Sequence, residues 1–396
     1  MLRLRYILLS ICACFVFSLS AQKVYKPIRA ALKSKNATHA LQLIAPLMAD
    51  SNYRNDSRLY EYAISANLLA HEAENTKAYL KQKYDTIKFF SSSLSLIKNV
   101  LVLDSLDQAL KPKKSVASEY SDLIPRFLPH INSAGRYFFQ KKQYTQAIVY
   151  FNTYLTMPER FTALLSIPKK KRVETAYLCT KSYFLSQQYK EVSQYSDVLL
   201  TDSALKCVAL EYYTLSAEAQ KDSAQYLSYL NKGVEMCSDV PFFFTRLIDY
   251  HILQNQAKEA LVLADSLLKE DTTNIILIEG RCLALIALHK YKETIDQAKQ
   301  MLQMDSAAVY PNYYIGASYA NLANNIEMPT NINSQKFKQA TRQRKALYTA
   351  ALPYLERFRE KVPTQQKMWA PLLYKIYLST ENEAKFKEMD AILQTL

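Results

Sequence analysis

Residues 241–274 read PFFFTRLIDYHILQNQAKEALVLADSLLKEDTTN, and the following stretch, 275–308, reads IILIEGRCLALIALHKYKETIDQAKQMLQMDSAA. Each holds two apolar runs at helical spacing, joined by a short polar turn (QNQ, then HK) and closed by a second one. A third copy opens at 309 with VYPNYYIGASYANLANN, and the same period of 34 runs back through Cys207 to Val173. Starts at 173, 207, 241, 275 and 309 therefore share one uninterrupted grid of helix pairs.

Composition points the same way. Of 396 residues, 49% are hydrophobic, which suffices for a large buried core, while only four are glycine and 30 are tyrosine. So few glycines imply few backbone positions with φ > 0, which argues against hairpins, Rossmann turns and β-barrels. Helices need glycine least, so the expectation is an all-α chain.

Two amphipathic helices per 34 residues resemble the tetratricopeptide repeat family, and the resemblance sits on particular residues. At position 8, where the helices of a pair approach closely, stand Thr180, Thr214, Ile248, Cys282 and Gly316. Position 20 includes Ala260 and Thr294, with Tyr226 departing from the small-residue pattern, and position 24 gives Ser196, Leu230, Ala264 and Ala298. An earlier copy near 128 places Gly135, Ala147 and Phe151 at the same three positions. A first copy near 21 places Ala40 and Ile44 at the second and third. Residues 57–110 read as long helices off the grid, with Phe90, Leu94, Ile97 and Leu101 on one face.

The resulting expectation is an α-α superhelical solenoid of tetratricopeptide-type helix pairs. A signal peptide at 1–21 precedes an N-terminal helical region at 22–110 and a basic connecting segment at 111–127. The array occupies 128–363, with starts near 128, 173, 207, 241, 275 and 309, and capping helices occupy 364–396. No pair buries enough surface alone, so neighbours must cover one another.

The resemblance also implies a groove lined by the first helix of each pair. Carried onto this chain, the groove positions fall on Asn132, Arg136 and Phe139, then on Tyr177, Lys181 and Phe184. Further along they fall on Phe242, Asp249, Glu279, Tyr310 and Tyr313. Rings with charged neighbours suit capture of a protein or peptide segment. The competing reading is that these aromatics only pack against the next repeat.

The N-terminus sets the expected compartment. Arg3 and Arg5, an apolar run ILLSICACFVFSL and then small residues follow the order of a secretory signal peptide, cleaved after Ser20 or Ala21. The expected location is the periplasm, and a lipid anchor at Cys14 is the alternative, since Ile11-Cys12-Ala13-Cys14 imitates a lipobox. No later run of 18 uninterrupted apolar residues exists, so no transmembrane span is expected after the leader is removed.

Four cysteines remain beyond the leader. Cys207 and Cys237 fall at positions 1 and 31 of one repeat, where an antiparallel pair brings its ends together. A disulfide there and two buried free thiols are both open.

Chemistry-bearing motifs are scarce. Four scattered glycines write no GxGxxG, Walker or GxSxG motif, which excludes glycine-rich phosphate loops and the nucleophile elbow. His71-Glu72 begins like a zincin motif, but the second histidine position is Asn75, so His71 reads as a surface residue. His251 reads as a satisfied core histidine at position 11. No enzyme, cofactor or metal is expected.

The formal charge is +14, and +12 once Arg3 and Arg5 are gone, concentrated in KPKK, PKKKR and KFKQATRQRK. Lys169, Lys170, Lys171 and Arg172 form a basic patch at the start of a helix, with Ser166 as the expected cap and Pro168 in the first turn. It reads either as a solvated turn or as an anion site. Export removes the nucleic-acid partner that PKKKRV suggests. The expected function is an exported, non-catalytic scaffold for a protein or peptide, the rival being an envelope binder of an anionic glycan or polymer.

Overall fold

The computed structural model describes residues 23–110 and 115–396. The expected leader, with Cys14, and residues 111–114 of the basic segment lie outside them. Two compact units divide the chain, one ending at Gln220 and the other spanning Lys221–Leu396.

In the first unit, α1 (23–33) and α2 (Ala37–Ala49) form a pair, followed by the long helices α3 (Ser57–Tyr79) and α4 (Thr86–Leu110). A short α5 (Val116–Glu119) precedes α6 (Leu123–Gln140) and α7 (Tyr144–Arg160). Then come α8 (Lys169–Leu185), a 3-10 turn at Tyr189–Glu191, the short α9 (Ser196–Leu199) and α10 (Lys206–Ala219). The second unit holds α11 (Ser223–Met236), α12 (Pro241–Leu253), α13 (Ala257–Leu268), α14 (Ile275–Ala287) and α15 (Tyr291–Met304). It ends with α16 (Tyr310–Asn324), the long α17 (Gln335–Lys361), α18 (Gln366–Ser379) and α19 (Glu383–Leu393). Among the described residues there is no strand.

Turn chemistry sets the pitch. Gln187, Lys221, Asn255 and His289, spaced by the repeat length, all have φ between 58 and 60°. Lys35, Lys81, Lys142 and Glu381, with φ of 57 to 60°, take the same place in other pairs. Each ends a helix: the His289 N–H donates to the Ile286 carbonyl and the Lys290 N–H to the Leu285 carbonyl, both at 2.9 Å. That double bond pattern closes a helix in a left-handed turn. The expectation of few positive φ values is thus corrected. Polar residues take the left-handed conformation, and no described glycine does. The capping bonds offset a cost of about 1–2 kcal/mol for a side chain there.

Glycine serves close approach instead. A Cβ on Gly135 would lie 2.5 Å from Cδ1 and Cε1 of Phe151, so α6 and α7 can touch only without it. The pairs stack through shared cores: Phe244, Ile248, Ala260, Ala264, Leu277 and Ala284 join α12, α13 and α14. Ile278, Cys282, Ile295, Ala298, Tyr314 and Ile315 continue the stack into α16.

Two local departures have physical causes. The second helix of the 173 repeat is broken into the 3-10 turn and α9, and a polar network stands beside the break. Asn152 donates to Tyr183 Oη at 2.6 Å, and its Oδ1 accepts from Tyr195 Oη at 2.8 Å. Tyr183 Oη in turn donates to Gln194 Oε1 at 2.9 Å. On α4, Phe90 and Ile97 are buried as expected, but Leu94 and Leu101 are half-buried. Phe89, Leu96, Val100 and Leu103 share the core, because α4 is covered by both α3 and α6. Its composition would suit a membrane span, yet in the fold it is a packed core helix.

Candidate functional site

Within the first unit, α6 packs against α8 and α8 against α10, so the first helices of successive pairs make a ladder. Asn132 and Arg136 on α6 meet Thr175 and Glu174 on α8. The Thr175 hydroxyl donates to Asn132 Oδ1 at 3.3 Å, and Arg136 Nη2 donates to Glu174 Oε2 at 3.0 Å. One turn on, Tyr177 and Phe184 of α8 face Tyr212 of α10, with ring centroids 6.3 and 5.0 Å apart. Burial, then the nearby Tyr177, pushes the Tyr212 hydroxyl up to about 12. Lys181 lies between these rings in sequence, half-buried and without an ion pair among the described residues. Phe139 turns to Tyr144 across its own pair, at 5.6 Å.

Five of the six groove candidates in this unit therefore sit on one strip of α6 and α8. Position counting did not find Glu174 and Tyr212. Glu174 lies three residues before Tyr177 on the same helix, a spacing that could have shown it; Tyr212 sits one place off the groove spacing and gave no such signal.

The second unit places its candidates on three successive first helices without joining them. Arg246 caps the Phe242 ring at 3.9 Å from its centroid. Burial raises the Asp249 carboxyl above the usual carboxylate range while Arg246 opposes it, and burial alone raises Glu279. Tyr310 and Tyr313 both turn to Phe358 of α17, at 5.7 and 5.2 Å. Tyr313 packs on the helix-pair core, whereas Tyr310 keeps 40% of its surface exposed.

Here α12 packs on α14, α14 on α16 and α16 on α18. Thr180, Thr214, Ile248 and Cys282 at position 8 are buried, as are Ala260 and Thr294 at position 20 and Ala264 and Ala298 at position 24. The fold is a solenoid of helix pairs of tetratricopeptide type.

No protein-family model matches the chain, and no curated protein matches it. Among solved structures it is similar to a human IFIT1 dimer with PPP-AAAA, at 14% identity and TM-score 0.35, covering 78% of this chain and 68% of that one. It is also similar to the P58(IPK) TPR domain, at 14% identity and TM-score 0.23, covering 88% and 98%. The repeat assignment rests on pitch, turn geometry and buried positions, not on these likenesses.

Off the tetratricopeptide grid, one expectation is reversed. His71 is 1% exposed, not a surface residue. Its ring stacks on Phe89 at 4.3 Å and lies 4.6 Å from Phe127 and 4.9 Å from His130. Nδ1 is 2.8 Å from Ser93 Oγ and 3.3 Å from the Phe89 carbonyl, and the Ser93 hydroxyl lies 2.9 Å from that same carbonyl. Burial holds the imidazole down to about 4, and burial also lowers His130. Ser93 is fully buried, so the pair is a core contact without access for a substrate. His251 differs in the other direction: it is half-exposed, with Nδ1 3.0 Å from Gln256 Oε1.

Lys169, Lys170, Lys171 and Arg172 form the first turn of α8. Pro168, not Ser166, is the cap residue, and no side chain caps this helix. Proline at this point presets the backbone for helix entry without a hydrogen bond from a side chain. The three lysines are exposed, while Arg172 lies 3.6 Å from Glu159. Cys207 and Cys237 are each disulfide-bonded, whereas Cys179 and Cys282 are buried free thiols.

Proposed function

We propose that the chain is an exported, non-catalytic scaffold that holds a protein or peptide segment against the first-helix face of its tetratricopeptide repeats. The strip on α6, α8 and α10 carries this reading: three half-buried rings beside the Arg136–Glu174 pair and the half-buried Lys181. Such rings supply area at low entropic cost, and the charges fix the register of an occupant. Export rests on the order of residues 1–21, and the periplasm is the compartment this reading takes.

A photo-crosslinking residue in place of Lys181 tests it in envelope extract. A discrete adduct is expected there and not from Lys258, an exposed position on the second helix α13. Tyr177→Ala with Tyr212→Ala should abolish the adduct without loss of helicity. Equal adducts at both positions would sink the reading.

The exposed Lys169–Lys171 run favours a second reading, an anionic glycan or polymer bound at the start of α8. Charge-driven binding weakens steeply with salt, and ring-driven capture far less. Replacing Lys169, Lys170, Lys171 and Arg172 by Gln without effect on polymer binding retires it.

A further inference from the structure

The turn between α3 and α4 is built inside out. One carboxylate faces inward: Glu74 is buried, its Oε2 accepts from the N–H of the exposed Asp85 at 2.9 Å, and its Oε1 pairs with Lys77 at 2.9 Å. Asp85 in turn accepts from the Lys88 N–H at 2.9 Å and so starts α4. The Lys81 and Gln82 N–H groups close α3 on the Ala78 and Lys77 carbonyls. The turn is thus held by its polar groups, and its apolar groups are left outside. Tyr79 is 86% exposed, Leu80 55%, Ile87 50% and Tyr84 38%. Single exposed apolar side chains are ordinary on a protein surface, but four within nine residues are not. Between them stand Lys81 and Lys83, both exposed and without an ion pair among the described residues.

We propose that this turn docks the protein on a membrane leaflet carrying anionic headgroups. A turn that projects its apolar side chains outward offers no groove to wrap a protein segment, whereas a lipid interface closes around it. Tyrosines favour the headgroup level, and lysines reach phosphates while their stems stay apolar. Leu80 and Ile87 would enter the boundary between headgroups and acyl chains. Lys81 and Lys83 supply the attraction to a negative surface. This site is separate from the first-helix face and does not depend on a segment being bound there.

The test uses the full chain with Tyr79→Trp as a depth probe and the buried Trp369 emission of the parent subtracted. The apolar leader also favours lipid, so the reading is taken at position 79 and not from sedimentation alone. Brominated acyl chains should quench the probe in phosphatidylcholine vesicles containing phosphatidylglycerol. Quenching should be far weaker in phosphatidylcholine alone and should fall with salt. Leu80→Ser with Ile87→Ser should reduce quenchable binding at least about tenfold. Lys81→Gln with Lys83→Gln should reduce it about thirty-fold on anionic vesicles at low salt, at roughly fivefold per cation. All four positions are exposed, so the fold should survive each change. A probe that stays unquenched in every vesicle, or serine variants that bind like the parent, overturns the proposal, and so does protection of the turn by a protein instead.

Discussion

Gly280 of α14 lies flat against the Phe244 ring of α12: a Cβ built on it would stop 2.6 Å from Cε1 and Cζ. Phe244 is only 4% exposed, so the ring has little room to swing away. Gly280→Ala would gain about 1 kcal/mol of helix propensity and lose about 1–3 kcal/mol to overpacking. The second effect wins, and the variant should be about 1 kcal/mol less stable by urea unfolding. A gain in stability would mean that the ring relaxes freely and that close approach is not why glycine stands there.

The left-handed turns yield the opposite prediction. Lys142 has φ of 59° and ends α6 with its N–H on the Phe139 carbonyl at 2.9 Å. Glycine takes this conformation without strain, while its unfolded state is more flexible. Lys142→Gly should therefore stabilise by about 0.5–1 kcal/mol. Lys141→Gly, one residue earlier with φ of −79°, should destabilise instead. If both variants lose stability, the backbone at 142 is not under strain.

These two sites show where sequence reading succeeds and where it stops. The spacing of Thr180, Thr214, Ile248, Cys282 and Gly316 was legible because close helix contact admits few shapes, and the period repeats it. The turns at Lys142, Gln187 and His289 were not, because backbone hydrogen bonds at a helix end set the conformation and any polar residue tolerates it. His71 was misread because α3 and α4 leave the grid, so no repeat position assigned its face. The groove candidates Tyr310 and Tyr313 sit on the expected helix, yet they turn to Phe358 on α17, the 27-residue partner of α16. Exposure of Tyr79 and Leu80 depends on what fails to cover them, which no local pattern records.

His71 makes the first unit sensitive to mild acid. Its pKa is lowered in the fold to about 4 by burial, from an ordinary 6.5. The unfolded chain therefore binds a proton that the folded chain refuses. Stability from this residue is complete above pH 6.5 and is lost as pH falls towards 4. Urea midpoints should decline over that window, and His71→Leu should flatten the decline at some cost in stability at pH 7.5 (about 1 kcal/mol). An unchanged slope in the variant would assign the transition to another group, with His130 the next to replace.

The cysteines allow a count that is independent of pH titration. A chain beginning at Gln22 retains Cys179, Cys207, Cys237 and Cys282. With Cys207 and Cys237 disulfide-bonded, two thiols remain, both buried. Burial pushes Cys282 up to about 12 and Cys179 higher still, so little thiolate exists at neutral pH. Native protein should react slowly with a thiol reagent, and unfolding without reductant should expose two reactive groups. Reductant added before unfolding should raise the count to four and lower the stability by about 2–4 kcal/mol. Four thiols without reductant would show that Cys207 and Cys237 stay reduced in the protein as isolated.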